Sequence, residues 1–399
     1  MLLSKLTRDL RLLLTFSALR NITDLFLGTF LLSFLMRTSA NEILSVSMYK
    51  LFEYAATCGG FFIFATWCKR YNKVTVFALN QVPKIALLAA IILLGDSVSE
   101  YVIPLGMLYG LGAAMYHLPM NSMICEKSSK DTIGLYMGAK TAINYFVRVV
   151  TPITLGFFID TGSFVSVAYV LLGLSVLELF LMIFISPSRH RSKQPIDFRG
   201  FFRCVMRFPV VRSLFAMEVM RGFGMGLLAS VITMYTVFMF KTDLNLGIFT
   251  TLFSVFSIIT SWLSGRYGRP RYYPYMLLIA MFVAFGGISA FVWNATPITL
   301  LVYNFVYSTA IVLLDQLCTV NTFSLSNCKC ISRNHKIEYF VLRDFALFVG
   351  RWVGYVGLMY IAVFGGCPWL RWYLVLITLS MMIAGWMAIR MLPYLKSRE

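Results

Sequence analysis

Acidic residues are scarce in this sequence. Only 17 Asp and Glu stand against 35 Lys and Arg, and charged residues of both signs fill 13% of the 399 positions. A water-soluble domain of this length needs far more polar surface, so the composition excludes one. Histidine is rarer still, with three in the chain. There is no Walker A phosphate loop, no G-x-S-x-G turn and no H-E-x-x-H helix. ATP-driven transport by this chain alone is therefore not expected, and no nucleophile–base constellation can be assembled for an enzyme. The eight cysteines form no disulfide framework; Cys58, Cys125 and Cys318 sit in or beside apolar runs as small apolar residues. Cys328, Cys330 and His335 share a basic loop, but C-x-C…H fits no zinc pattern, so neither a metal nor another cofactor is expected. The start, "MLLSKLTRDLR", is charged and leads into a full-length apolar run, unlike a cleavable leader.

What remains is mostly apolar. Hydrophobic residues make up 59% of the chain, in runs of about 20 residues, each long enough to cross a bilayer as a helix. The runs cover 12–36, 43–66, 74–95, 101–124, 135–159, 164–186, 211–239, 244–264, 272–293, 296–323, 338–363 and 369–393. The expected fold class is an all-α membrane protein of twelve transmembrane helices; the short alternating segments of a β-barrel are missing.

The net charge of +18 does not point to nucleic acid, because its placement follows topology. Basic residues crowd every second loop, while the opposite loops hold only Arg37, Lys241 and Arg371. By the positive-inside rule both termini are expected to be cytoplasmic, with the surplus charge facing anionic lipid. The longest polar interval, Ser186 to Pro209, reads as a cytoplasmic linker. Its "FRGFFRCVMRF" portion reads as a short amphipathic helix on the membrane surface. Six runs precede it and six follow. The expected domains are a six-helix bundle over 1–186, a linker over 187–210 and a second six-helix bundle over 211–399.

Two internal echoes support a duplication. "KRYNK" (69–73) follows the second run and "GRYGR" (265–269) the eighth, placing Arg70, Lys73, Arg266 and Arg269 in matching cytoplasmic turns. The fifth run carries Tyr136, Lys140 and Arg148, and the eleventh carries Tyr339, Arg343 and Arg351 at the same spacing. Arg20 and Arg221 pair the first run with the seventh. An ionisable side chain in lipid costs at least ~2.5–3.5 kcal/mol, so matched intramembrane cations are not incidental.

Twelve spans in two sixes, a basic linker and a repeated basic turn resemble the major facilitator superfamily, over essentially the whole chain. "SGRYGRPR" (264–271) is similar to that family's signature turn but lacks its Asp; "WCKRYNKV" (67–74) lacks the Asp and the glycines. "YGLGAAMYHLPMNSMICEK" with "YMGAK" is similar to the YqgE-like branch of bacterial transporters. The resemblance implies alternating access, two pseudo-symmetric bundles rocking about a midplane site. It also implies a cavity lined by spans 1, 4, 7 and 10, with 2, 5, 8 and 11 beside them. Of the ionisable residues inside the runs and away from their ends, only Lys84 and Glu178 fall outside those spans.

Spacing adds geometry. Lys140, Asn144 and Arg148 fit within an arc of ~80° and ~12 Å of helix. Arg20 with Asp24, Lys50 with Glu53, and Glu218 with Arg221 form compensated pairs. The two basic stripes do not: one holds no acid, the other only Asp344. A cavity with surplus positive charge favours an anion or anionic headgroup, and Arg offers a planar donor fork to carboxylate or phosphate. Candidate substrate-binding residues are Arg20, Lys140, Asn144, Arg148, His117, Asn121, Arg343 and Arg351. Candidate proton-coupling or gating residues are Asp24, Glu53, Glu218, Arg221, Asp315 and Asp344. Asp315, with no cation adjacent in "LLDQL", is the foremost proton carrier among them. Beside this stands a structural reading, in which Arg148 or Arg351 merely bonds Asp24, Asp315 or backbone carbonyls. Pro119 and Pro152 loosen their helices in a manner that suits rocking.

The expected function is a secondary transporter in an inner membrane, acting as a monomer. It would carry a small anion or anionic amphiphile, with protons or another ion as the coupling partner. Proton-coupled efflux of a hydrophobic compound is the alternative within transport. A non-transporting receptor on the same fold is a third reading, for which no added signalling segment is seen.

Overall fold

A computed structural model describes residues 6–70, 73–127, 130–187, 196–240, 242–267, 273–326 and 336–396. Helices account for nearly all of them. In chain order they are α1 (Arg8–Leu25), α2 (Leu31–Thr38), α3 (Glu42–Arg70), α4 (Lys73–Leu79), α5 (Gln81–Leu94), α6 (Val102–Lys127), α7 (Lys130–Thr161) and α8 (Phe164–Met182). Next come α9 (Phe198–Val205), α10 (Pro209–Phe240), α11 (Asp243–Tyr267), α12 (Tyr273–Trp293), α13 (Pro297–Ser326), α14 (Lys336–Phe364) and α15 (Gly366–Lys396).

Twelve crossings result. The first is α1 and α2 joined through a π-helical stretch at Phe26–Phe30. The third is α4 and α5, which meet at Asn80. The eight-residue α9 is too short to span and joins no other helix into a crossing among the described residues. Local chemistry sets several ends: the Thr7 hydroxyl accepts from the Leu10 amide at 3.4 Å at the start of α1, and Ser163 does the same for Ser166 at 3.0 Å at the start of α8. Gly95, at φ 53°, ends α5 in a left-handed turn that a side chain would strain.

The chain forms two compact units. One holds Met1–Pro195 with Thr236–Leu252; the other holds Ile196–Tyr235 with Phe253–Glu399. In the first unit α3 lies along α6, α1 against α7, and α5 against α8. The α3–α6 contact depends on a small-residue seam. A Cβ at Gly106 would overlap the Tyr49 carbonyl, and one at Gly110 the Glu53 carbonyl, so only glycine lets the backbones approach this closely. Leu10, Leu13, Phe16, Phe77, Met120 and Tyr136 form its apolar core.

In the second unit α12, α13 and α15 pack together, and α9 rests on α14. Its close crossing is α10 on α14, where Gly222 meets the Leu347 carbonyl and Gly350 the Val219 carbonyl. Large exposed apolar side chains cover both units. In the second, Trp293, Trp369 and Trp372 are exposed near the end of α12 and the start of α15, where aromatic rings sit at a headgroup boundary.

Candidate functional site

In the first unit the polar residues are organised around α1. Arg20 is buried, and its Nε lies 2.8 Å from the Asp24 carboxylate. Its guanidinium sits over the Tyr109 and Tyr116 rings at 5.8 and 5.1 Å, a cation–π arrangement suited to a desolvated charge. Tyr109 donates to Asp24 at 3.1 Å, so Asp24 is engaged twice. Lys50 Nζ donates to Glu53 at 2.7 Å and faces the Tyr49, Tyr54 and Tyr109 rings. Both spacing-based pairs are present.

Lys84 and Glu178 also have each other. They stand on α5 and α8, both buried, with Nζ at 2.7 and 2.8 Å from the two carboxylate oxygens. Gln81 donates to the same carboxylate at 2.7 Å. The two ionisable residues outside the cavity-type spans thus form one closed ion pair.

The α7 stripe differs. Asn144 accepts a hydrogen bond from the Asn21 amide of α1, which orients the middle of the stripe. Lys140 is half-buried and Arg148 exposed. Among the described residues no carboxylate pairs with either. Asp24, the acid in this unit that a structural reading would give to Arg148, is held by Arg20 and Tyr109. His117 and Asn121 lie on α6, both exposed, with the imidazole edge-on to Tyr116 at 5.1 Å.

In the second unit an alternating cluster surrounds Glu218, which is fully buried. Arg221 Nη1 donates to Glu218 at 3.2 Å and its Nη2 bonds Asp315. Arg343 Nε donates to Glu218 at 3.0 Å and its Nη1 to Asp344 at 2.7 Å. Thr322 adds a hydroxyl at 2.9 Å. Two expectations are corrected here. Arg343 is not an uncompensated cation, because α10 supplies Glu218 from far along the chain. Asp315 does have a cation, Arg221 of α10, invisible to sequence adjacency. Arg351 is half-buried over the Phe348 ring at 5.8 Å, and its aliphatic stem closes on Gly226. The stripe aromatics do correspond: Tyr136 and Tyr339 are both fully buried.

Of the turn residues, Lys73 is buried at the start of α4. Arg70 and Arg266 lie on described helical backbone, but their side chains, and Arg269 entirely, lie outside the described residues, as do Cys328, Cys330 and His335. No grouping of three metal-ligating side chains occurs among the described residues.

Sequence reading missed one constellation. Asp243, at the start of α11, accepts from Arg37 Nη1 at 2.7 Å and from the Ser33 hydroxyl at 2.8 Å. Asp160, near the end of α7, accepts from the Asp243 and Leu244 amides at 3.1 and 2.8 Å, capping α11. Gly156 and Gly247 permit the close α7–α11 approach. Arg37 was visible as a rare cation of the opposite loops; its partner, 206 positions away, was not.

Solved structures of like fold cover nearly the whole chain at low identity. An auto-inhibited POT family peptide transporter matches at TM-score 0.72 and 12% identity over 96% of this chain and 97% of that one. A bacterial homologue of the iron transporter ferroportin in an inward-facing state matches at 0.71 and 12%, over 96% and 98%. The human organic anion transporter MFSD10 (TETRAN) matches at 0.63 and 12%, over 96% and 100%. Among curated sequences, the uncharacterized protein YqgE of Bacillus subtilis (strain 168) is 21% identical over 349 residues, covering 86% of this chain and 80% of its own length. The sequence profile of the Major Facilitator Superfamily matches residues 14–329. With twelve membrane crossings on that fold, the chain belongs to the Major Facilitator Superfamily and is a multi-pass membrane transporter.

Proposed function

We propose that this protein is a secondary transporter working by alternating access, and that its cargo is a small anion or an amphiphile with an anionic headgroup. The observation that carries the substrate class is the α7 stripe, where Lys140 and Arg148 flank Asn144 with no carboxylate partner among the described residues. The other cations well inside the membrane spans of that unit, Arg20, Lys50 and Lys84, are each compensated by an acid. Positive charge left over in a bundle whose other charges are paired attracts an anion. Arg148 offers the bidentate donor fork and Lys140 a mobile point charge. Asn144, fixed by Asn21, supplies a neutral amide between them. His117 and Asn121 of α6 are the auxiliary polar contacts.

The Glu218 cluster is given the coupling or gating role. Its acids Glu218, Asp315 and Asp344 are tied to Arg221 and Arg343 in one network across α10, α13 and α14, and a proton taken up by one of them would loosen it. Asp24 and Glu53 take the same role in the first unit. Like-fold transporters named for iron, peptides and organic anions support the mechanism without selecting among cargoes. The YqgE-like assignment stays a proposal at 21% identity. We place the chain in an inner membrane with both termini cytoplasmic, on the bias of its loops.

The test is a thermal-shift screen of the purified chain, since any ligand of the folded state raises its apparent stability. Small carboxylates and organophosphates are compared with their uncharged and cationic analogues. The expected stabilisers are anions. Stabilisation by the neutral hydrophobic members alone would instead favour efflux of hydrophobic compounds.

A further inference from the structure

The cargo site leaves α9 unused. This helix runs Phe198–Val205 and continues through the Met206 amide, which donates to Phe202 at 3.0 Å. Pro209 then opens the membrane-spanning α10. The short connection holds α9 within about 10–14 Å of the end of a crossing helix, at headgroup depth.

Its two faces differ. Phe201 is buried, and the helix packs against α14. The opposite side carries Arg199 and Arg203, one turn apart and exposed, with Phe202 exposed at 42% beside them and the exposed Arg207 in the turn that follows. The one acid of the segment, Asp197, is turned to the helix start, where it accepts from the Gly200 amide at 2.8 Å. Arg199 and Arg203 on the helix and Arg207 just beyond it are therefore exposed without a counter-ion among the described residues, next to an apolar ring.

We propose that α9 is a binding surface for anionic phospholipid headgroups of the leaflet in which α10 ends. The guanidiniums take the phosphates by bidentate hydrogen bonding. Phe202 enters the acyl boundary, as the apolar face of an interfacial helix does. The helix is fixed to the protein on one side through Phe201 and to the lipid on the other. Because α9 leads directly into the helix that carries Glu218 and Arg221, lipid bound there steadies the end of α10.

Native mass spectrometry of the full chain, given equal phosphatidylglycerol and phosphatidylcholine, tests this. The wild type is expected to retain phosphatidylglycerol preferentially, and high salt to weaken that preference. R199Q/R203Q should lower the preference about fivefold for each arginine removed, while the R199K/R203K chain keeps most of it. R8Q/R11Q removes two exposed arginines of α1 instead and should leave the preference nearly intact. Gel filtration checks that each variant is folded; if R199Q/R203Q does not fold, R203Q alone is read. Equal retention of the two lipids by the wild type, no change in R199Q/R203Q, or the same loss in R8Q/R11Q overturns the proposal.

Discussion

Arg343 Nε donates to Glu218 Oε1 at 3.0 Å, although 125 positions separate the two residues. This contact makes the halves electrostatically unequal. At matching positions of the repeated spacing stand Lys140, without a carboxylate partner among the described residues, and Arg343, held by two carboxylates. The repeated spacing thus carries, on α7, cations without a carboxylate partner among the described residues and, on α14, an arginine tied into a network with α10 and α13.

Glu218 is the shared acceptor of that cluster, so removing its charge takes one of two carboxylates from each of Arg221 and Arg343. E218Q is expected to destabilise the folded chain by roughly 1.5–3 kcal/mol, because charge-assisted bonds are lost while each arginine keeps one carboxylate. D315N removes a more exposed partner and should cost much less. Chemical or thermal denaturation in detergent compares the two; equal losses would show that Glu218 is not the hub.

The Lys84–Glu178 pair is closed on itself. K84M alone leaves a buried carboxylate and should cost roughly 3–5 kcal/mol, whereas K84M/E178M should recover most of that loss. A double-mutant cycle measures the coupling. Additive losses would mean that the two residues act on different neighbours.

Backbone contact at Gly110 is a steric requirement. G110A places a methyl on the Glu53 carbonyl and should cost about 1–3 kcal/mol by forcing α3 from α6. G59A, on the same α3, meets nothing within 4 Å and should be neutral or slightly stabilising. Melting curves of the two variants give the comparison, and similar values would contradict the packing account.

At the Asp243 constellation, Arg37 is partly exposed, so R37Q should cost about 1 kcal/mol or less. D243N disturbs Arg37 and Ser33 together and should cost more. The order is readable from denaturation midpoints, and an R37Q loss exceeding that of D243N would reverse the assignment.

Much of this was legible in the sequence. Apolar run length gave the twelve crossings, because a helix must satisfy its backbone within lipid. The i,i+3 and i,i+4 pairs Arg20–Asp24, Lys50–Glu53 and Glu218–Arg221 followed from helical periodicity alone. The long-range contacts did not. Arg343 to Glu218, Arg221 to Asp315, Lys84 to Glu178 and Arg37 to Asp243 all join different helices, and periodicity carries no information about which faces meet. For that reason Arg343 read as surplus charge and Asp315 as solitary. Among the described residues no distant acid reaches Lys140 or Arg148 of the α7 stripe.

The central claim is that Lys140 and Arg148 hold the cargo's negative charge. The direct measurement is the binding curve of the most stabilising anion from the screen, taken on wild type, K140Q, R148Q and E178Q. R148Q should abolish the ligand-induced shift, K140Q should weaken binding at least about tenfold, and E178Q should bind as wild type does once its lower stability is allowed for. Unchanged binding in both K140Q and R148Q would contradict the account.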